Sequence, residues 1–251
     1  MWRRNLIIAA LLVFAAASAQ AFTVDELIAK NIKARGGLDK IHAIQSLRTT
    51  GKIHAGGGDF SIEIAYVEMT RRPGMFRQEV NMQGLTSVTA YDGAVGWQIQ
   101  PFSGRLDPER LSADDVKFLE RSADLDGPLV DYAAKGNRVE YLGTEDVDGT
   151  DAHKLKVTFK DGDVQYIYLD PDYFLQIRTI MQSKVRGAEY VQEMDWGNYE
   201  SVGGVMLPFS TEAGVKGRPK ETKITVDKVE VNVALDPKLF HFPATPTAVS
   251  K

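Results

Sequence analysis

LQIRTIMQSKVRGAEYVQEMDW, running from Leu175 to Trp196, decides the fold class. Leu175, Ile177 and Met181 alternate with Gln176, Arg178 and Gln182, and Tyr190, Met194 and Trp196 then alternate with Glu189, Glu193 and Asp195. Successive side chains of a strand point to opposite faces, so a period of two gives each strand one apolar and one wet face. Strands of this kind build an antiparallel sheet with one face on a core.

The same period extends outward along the chain. Phe60, Ile62, Ile64 and Tyr66 share one face against Ser61 and Glu63, Val95, Trp97 and Ile99 alternate likewise, and Leu155, Val157 and Phe159 oppose Lys154, Lys156 and Lys160. Asp92-Gly93, Asp148-Gly149, Asp161-Gly162 and Gly203-Gly204 supply short reversals between such runs, which makes a meander of hairpins and not a series of βαβ units. Near the end, Ile224 and Val226 occupy one parity and Val229 and Val231 the other, so a β-bulge is expected around Asp227-Lys228.

Helical signals flank and interrupt the meander. Thr23 with Glu26 makes a capping box, Phe22 and Leu27 can staple it, and Gly36-Gly37 ends the helix. Leu38, Ile41, Ile44 and Leu47 continue at helical spacing into a second short helix. Between Arg105 and Gly136, Ser112 caps a stretch containing Val116 and Leu119, and Pro128 is read as the start of another containing Leu129, Val130 and Tyr132. No linker divides the remainder, which reads as one domain.

Arg3 and Arg4 precede an apolar run, Leu6 to Ala17, that is too short to span a bilayer, and Ala19-Gln20-Ala21 follows as a small-residue cleavage pattern. Residues 1–21 are therefore expected to be a secretory signal peptide and 22–251 the mature domain. Cysteine is absent, which excludes disulfides, cysteine nucleophiles and a lipidated cysteine. With 30 Lys and Arg against 34 Asp and Glu and no long basic run, the electrostatic footprint of a nucleic-acid binder is missing. His42, His54, His153 and His241 are scattered without helical pairing, and neither a nucleophile elbow nor a phosphate loop occurs, so no catalytic residue, metal or cofactor is assigned. The acidic stretch Glu145 to Asp151 is read as a hairpin turn, because the late glutamate of a calcium loop is missing.

Area links this organisation to function. About ten strands of about seven residues give a sheet face on the order of 1,100 Å². Four short helices cover roughly 600 Å² of it. A large apolar face with too little cover is expected to curl and to leave an apolar hollow, although closure into a packed barrel would also satisfy it.

Arg72-Pro73-Gly74-Met75-Phe76-Arg77, followed by Tyr91-Asp92-Gly93-Ala94-Val95-Gly96-Trp97 and Gln98-Ile99-Gln100-Pro101-Phe102, resembles the core of the outer-membrane lipoprotein-sorting family, the periplasmic carrier LolA and its receptor LolB. Phe240-His241-Phe242-Pro243 is similar to that family's closing strand, while Gln78, Gln98 and Ile99 stand where the carriers commonly have aromatic residues. The resemblance implies a mainly β fold with α, in which a single curved antiparallel sheet, a half-open β-barrel, is covered by short helices acting as a lid. It further implies a periplasmic, monomeric carrier whose cavity takes acyl chains from an inner-membrane donor to an outer-membrane acceptor, without catalysis. A lipid- or lipoprotein-sensing envelope regulator on the same fold is the alternative.

On this reading Arg72, Phe76, Trp97, Ile99, Phe60 and Tyr66 are the candidate ligand or lid residues. Arg72 is either an edge-strand cation beside a proline or, as the resemblance implies, a lid contact to backbone carbonyls. Trp97 follows the apolar parity, which fits both packed core and cavity lining. Phe60, Tyr66 and Phe76 carry the same two readings.

Overall fold

The computed structural model describes residues 22–56, 61–185 and 187–243. The chain enters through α1 (Val24–Ala34) and α2 (Leu38–Ala43) and then forms the strands β1 (Ser46–Ala55), β2 (Ile62–Arg71), β3 (Met75–Met82), β4 (Leu85–Tyr91), β5 (Gly96–Gln100) and β6 (Arg105–Arg110). It crosses through α3 (Ala113–Ser122) and a run of turns to β7 (Arg138–Val147), β8 (Thr150–Thr158), β9 (Val164–Leu169) and β10 (Gln176–Val185). The last strands are β11 (Ala188–Val202), β12 (Val205–Val215) and β13 (Thr222–Val231).

All thirteen strands belong to one antiparallel sheet. β1 pairs with β13, so two meanders run outward from the middle, and β6 and β7 are left as the free edges. The expected half-open barrel, mainly β with short helices, is what forms. Its curl follows from one contact set. β3 and β10 are six positions apart, about 29 Å in a flat sheet, yet α3, only about 10–12 Å wide, touches β3, β4, β5 and β10. The sheet therefore bends its two arms towards each other, and α3 lies across the gap. Gly96 permits this seat, since a Cβ there would come within 2.7 Å of Val116 on the helix.

Several local expectations are met. Thr23 and Glu26 make a reciprocal capping box, and Phe22 packs on the cluster that contains Leu27. The four Gly-containing reversals lie between β4 and β5, β7 and β8, β8 and β9, and β11 and β12. The bulge falls at Asp227, because Thr50 faces Lys228 while Gly51 faces Val226. Asp148-Gly149 turns the β7–β8 hairpin within the acidic stretch.

Others are corrected. Strands number thirteen among the described residues, where about ten were expected. Leu47 opens the inner face of β1 and does not extend α2, which ends at Ala43, because pairing with Thr70 and Val231 outweighs a helical spacing of only six residues. Residues 128–136 form successive turns and no helix. Asp131 at φ 51° and Gly136 at φ 78° interrupt helical geometry there, and Leu129 and Val130 are buried by the turns alone. Ile177 sits in a bulge between β9 and β10, which moves it out of parity and onto the cluster of Tyr168 and Ile180.

Candidate functional site

The inner face of β8 to β11 is mainly apolar, with Gln165, Thr179 and Gln192 among its side chains, and the lid segments rest on it. Leu155, Val157, Ile167 and Leu169 pack against Leu27 and Ile28 of α1. Further along the same face, Met181, Met194 and Trp196, with Phe159 and the α3 residue Phe118, line a chamber of about 410 Å³. Ligand sites typically hold roughly 300–1,000 Å³. The Trp196 indole N–H donates to the Thr179 hydroxyl at 3.0 Å, which fixes the ring as a wall. Trp196 also borders a space of about 310 Å³ beneath α1, and Phe118 one of about 320 Å³ bordered by Thr89 and Gln98. An open vestibule of about 730 Å³ is bordered by Arg72, Arg121 and Lys135 and shares Arg121 and Phe159 with the chamber wall.

Polar contacts hold the lid over this apolar space. Arg72 donates from Nε to the Ile44 carbonyl at 2.8 Å and from Nη2 to the Ile41 carbonyl at 3.3 Å, at the C-terminal end of α2. Its guanidinium also pairs bidentately with Asp126, one bond being Nη1 to Oδ2 at 2.8 Å. The Asp126 carbonyl accepts from Arg35 Nη1 at 2.7 Å, and Lys135 binds both carboxylate oxygens of Asp124. Three cations thus pin residues 124–127. Burial would raise the Asp126 pKa, but the Arg72 hydrogen bonds and charge, helped by Lys135 and His42, outweigh it and hold the carboxyl below its ordinary range. The same hydrogen bond, with Asp126, raises Arg72. Arg35 is shifted down by burial.

A second latch holds α3. Arg121 Nη2 donates to Asp161 and Asp163 at 2.7 Å each, in and beside the β8–β9 turn, and its guanidinium lies 4.6 Å from the Phe159 ring centroid. Arg121 borders both the vestibule and the chamber, so opening the chamber on that side breaks this contact.

Solved structures share this architecture, whereas no family model and no curated protein matches the chain. A LolA superfamily protein from Nitrosomonas europaea superposes with a TM-score of 0.59 at 15% identity, over 88% of this chain and 98% of that one. The fold is LolA-like. A domain assigned as an outer membrane lipoprotein-sorting protein from Vibrio parahaemolyticus gives a TM-score of 0.58 at 14% identity, covering 87% and 97% of the two chains. A DUF1329 family protein from Desulfovibrio piger gives 0.61 at 13% identity over 87% and 97%. The likeness is one of backbone course, and the side chains lining this LolA-like half-barrel are the chain's own.

Of the six candidate residues, four lie on the sheet, two on each face. Arg72 makes contacts with lid carbonyls, and its stronger partner is Asp126. Phe76 is buried beneath α3 with Tyr91, Leu119 and Ala123. Tyr66 lies on the inner floor against Gly51, where an added Cβ would meet the ring at 2.9 Å. Trp97 and Ile99 lie on the opposite face. Gly96 pairs with Tyr91 under α3, so the next residue, Trp97, points outward with Val88 and Ala90. It is 2% exposed, its indole N–H donates to the Phe240 carbonyl at 2.8 Å, and Phe242 packs on it edge-on. Trp97 does lie on an apolar face, as its parity implies; that face of β4–β5 is the outer one, covered by the C-terminal segment, while Thr89 and Gln98 occupy the inner one. Phe60 lies outside the described residues.

Sequence reasoning missed Asp126, Phe118 and Arg121 as lid residues, and Met181, Met194 and Trp196 as chamber walls. The alternation around Met194 and Trp196 carried their signal. Which face encloses the hollow depends on the curl, which no local pattern encodes.

Proposed function

We propose that residues 22–251 form a periplasmic carrier that holds the acyl chains of a lipoprotein or lipid in the chamber under α3 and passes them towards the outer membrane. Residues 1–21 act as its export signal, an inner-membrane donor loads it, and an outer-membrane acceptor unloads it. The observation that carries the reading is the chamber itself: an apolar space walled by Met181, Met194, Trp196, Phe118 and Phe159 under a helix fastened by ion pairs. Burying a methylene contributes about 0.8 kcal/mol, so partial burial of one chain gives useful affinity. Flexible methionines suit chains of varied shape. Among the described residues no helix is long and apolar enough to cross a membrane. The work is transfer without covalent chemistry, by one chain acting alone, with the Arg72–Asp126 and Arg121–Asp161/Asp163 contacts closing the empty form.

The test is extraction and transfer. Protein purified from the periplasm should release acyl chains to organic solvent, detected by mass spectrometry, and should move a fluorescent acylated peptide between donor and acceptor vesicles. Absence of both bound chains and vesicle transfer rejects the carrier.

A further inference from the structure

The chamber wall is mainly apolar, with Gln165, Thr179 and Gln192 set among its Met and aromatic side chains. Across from the apolar chamber, Thr49, Glu68, Gln78, Thr89 and Gln98 stand directly opposite one another on the five neighbouring strands β1 to β5. Gln78 is two residues from Phe76 and Thr89 two from Tyr91, both of which pack under α3, so the whole row faces inward. Thr89 and Gln98 border the space that Phe118 separates from the chamber.

Glu68 is poorly satisfied there. Among the described residues its only hydrogen bond comes from Gln78 Nε2 at 3.4 Å, near the outer limit for such a bond, and it forms no ion pair. The neighbouring Tyr66 hydroxyl has no hydrogen bond among the described residues, although the residue is only 6% exposed. A half-buried carboxyl with up to four acceptor sites, on the inward face without a cation, leaves acceptor capacity open. Burial raises the Glu68 pKa, as expected for a group lacking partners. An inward row of amides, hydroxyls and one carboxyl adds nothing to the binding of plain hydrocarbon, because desolvating it costs free energy that an alkyl chain does not return.

We propose that this row is a subsite for a hydrogen-bond donor on the cargo, an amine or hydroxyl borne by an aliphatic chain, with Glu68 as the acceptor and Gln78, Gln98 and Tyr66 beside it. The inference rests on the carrier reading. The apolar chamber takes the chain, and the polar row selects which amphiphile is held. A donor group regains in Glu68 the bonds it loses on leaving water, and an acceptor-only chain leaves Glu68 unpaired.

The experiment measures displacement of a fluorescent apolar dye from the full mature chain by dodecylamine, 1-dodecanol and methyl laurate. Wild type should bind the amine and the alcohol at least about tenfold more tightly than the ester, and the amine more tightly than the alcohol. Glu68→Leu should abolish that preference while binding methyl laurate as well as wild type or better. Glu68→Gln should keep the preference for the alcohol and lose the excess for the amine, and it carries the test if the leucine variant does not fold. Equal wild-type affinities for all three amphiphiles, a preference that survives Glu68→Leu, or an amine excess over the alcohol that survives Glu68→Gln, overturns the subsite while leaving the carrier intact. Failure of all three to displace the dye from wild type rejects the carrier and the subsite together.

Discussion

Trp97 and Trp196 follow the same sequence rule and do opposite things. Each alternates with polar neighbours on a strand, and each indole N–H is hydrogen-bonded, to Phe240 and to Thr179. Trp97 is sealed on the outer face by Phe242 and the segment around Phe240, whereas Trp196 is half-buried on the inner face and borders two cavities. The contrast separates residues that hold the fold from residues free to touch a ligand. A side chain surrounded by protein atoms contributes packing, while one facing unfilled space contributes little until something fills it.

The largest effect expected is therefore on Trp97. Trp97→Ala should cost about 3–5 kcal/mol in urea unfolding, by removing buried area and leaving a cavity under the C-terminal segment. Dye affinity in the folded fraction should stay unchanged. A weakened affinity with normal stability would erase the distinction between the two tryptophans.

Arg72→Leu comes next. It leaves Asp126 without its main partner, and because the pair retains some solvent, with side chains 27% and 11% exposed, the loss should be about 2 kcal/mol. That loss falls on the closed, empty form, so cargo affinity should rise by about tenfold and release to acceptor vesicles should slow. Unchanged affinity and release would make Arg72 a structural cation only. Lysine should rescue poorly, since it cannot reproduce a fork that meets both a carboxylate and the Ile44 carbonyl.

Trp196→Ala should cost only about 1 kcal/mol in stability and weaken acyl-chain binding roughly tenfold, measured by the same dye displacement. This is the inverse of the Trp97 result. Loss of stability without loss of binding would place the ligand elsewhere in the hollow.

The smallest effect is one of pH. The folded Asp126 pKa lies below that of an ordinary carboxylate near about 3.9, so its contribution is complete above that value and is lost as pH falls through the lower folded pKa. The stability difference between wild type and Asp126→Asn, about 1 kcal/mol at neutral pH, should therefore hold down to about pH 4 and shrink below it. A difference that grows in acid would reverse the assigned sign.

Much of the fold was legible from local pattern. The capping box at Thr23, the Gly-containing reversals and the parity change that marks the Asp227 bulge each depend on residues close in sequence. Less was legible where tertiary packing overrides spacing. Leu47 joins β1 because Thr70 and Val231 flank it, and residues 128–136 bury Leu129 and Val130 through turns and not through a helix. At the site, Arg72 was visible through its motif. Asp126, 54 positions further along the chain, was not, since an aspartate in a turn has no local mark of its partner.

By itself the sequence determined an antiparallel meander with apolar alternation, a capped helical entry and a helical crossing between β6 and β7. Those features follow from backbone geometry and from side chains two to four residues apart. Only the tertiary structure decided which face is inside. The β1–β13 pairing and the span of α3 from β3 to β10 set the curl, and the curl turns Met194, Trp196 and Glu68 inward while leaving Trp97 outside. Parity is a local property with two equivalent solutions, and contacts between residues far apart in the chain select one of them.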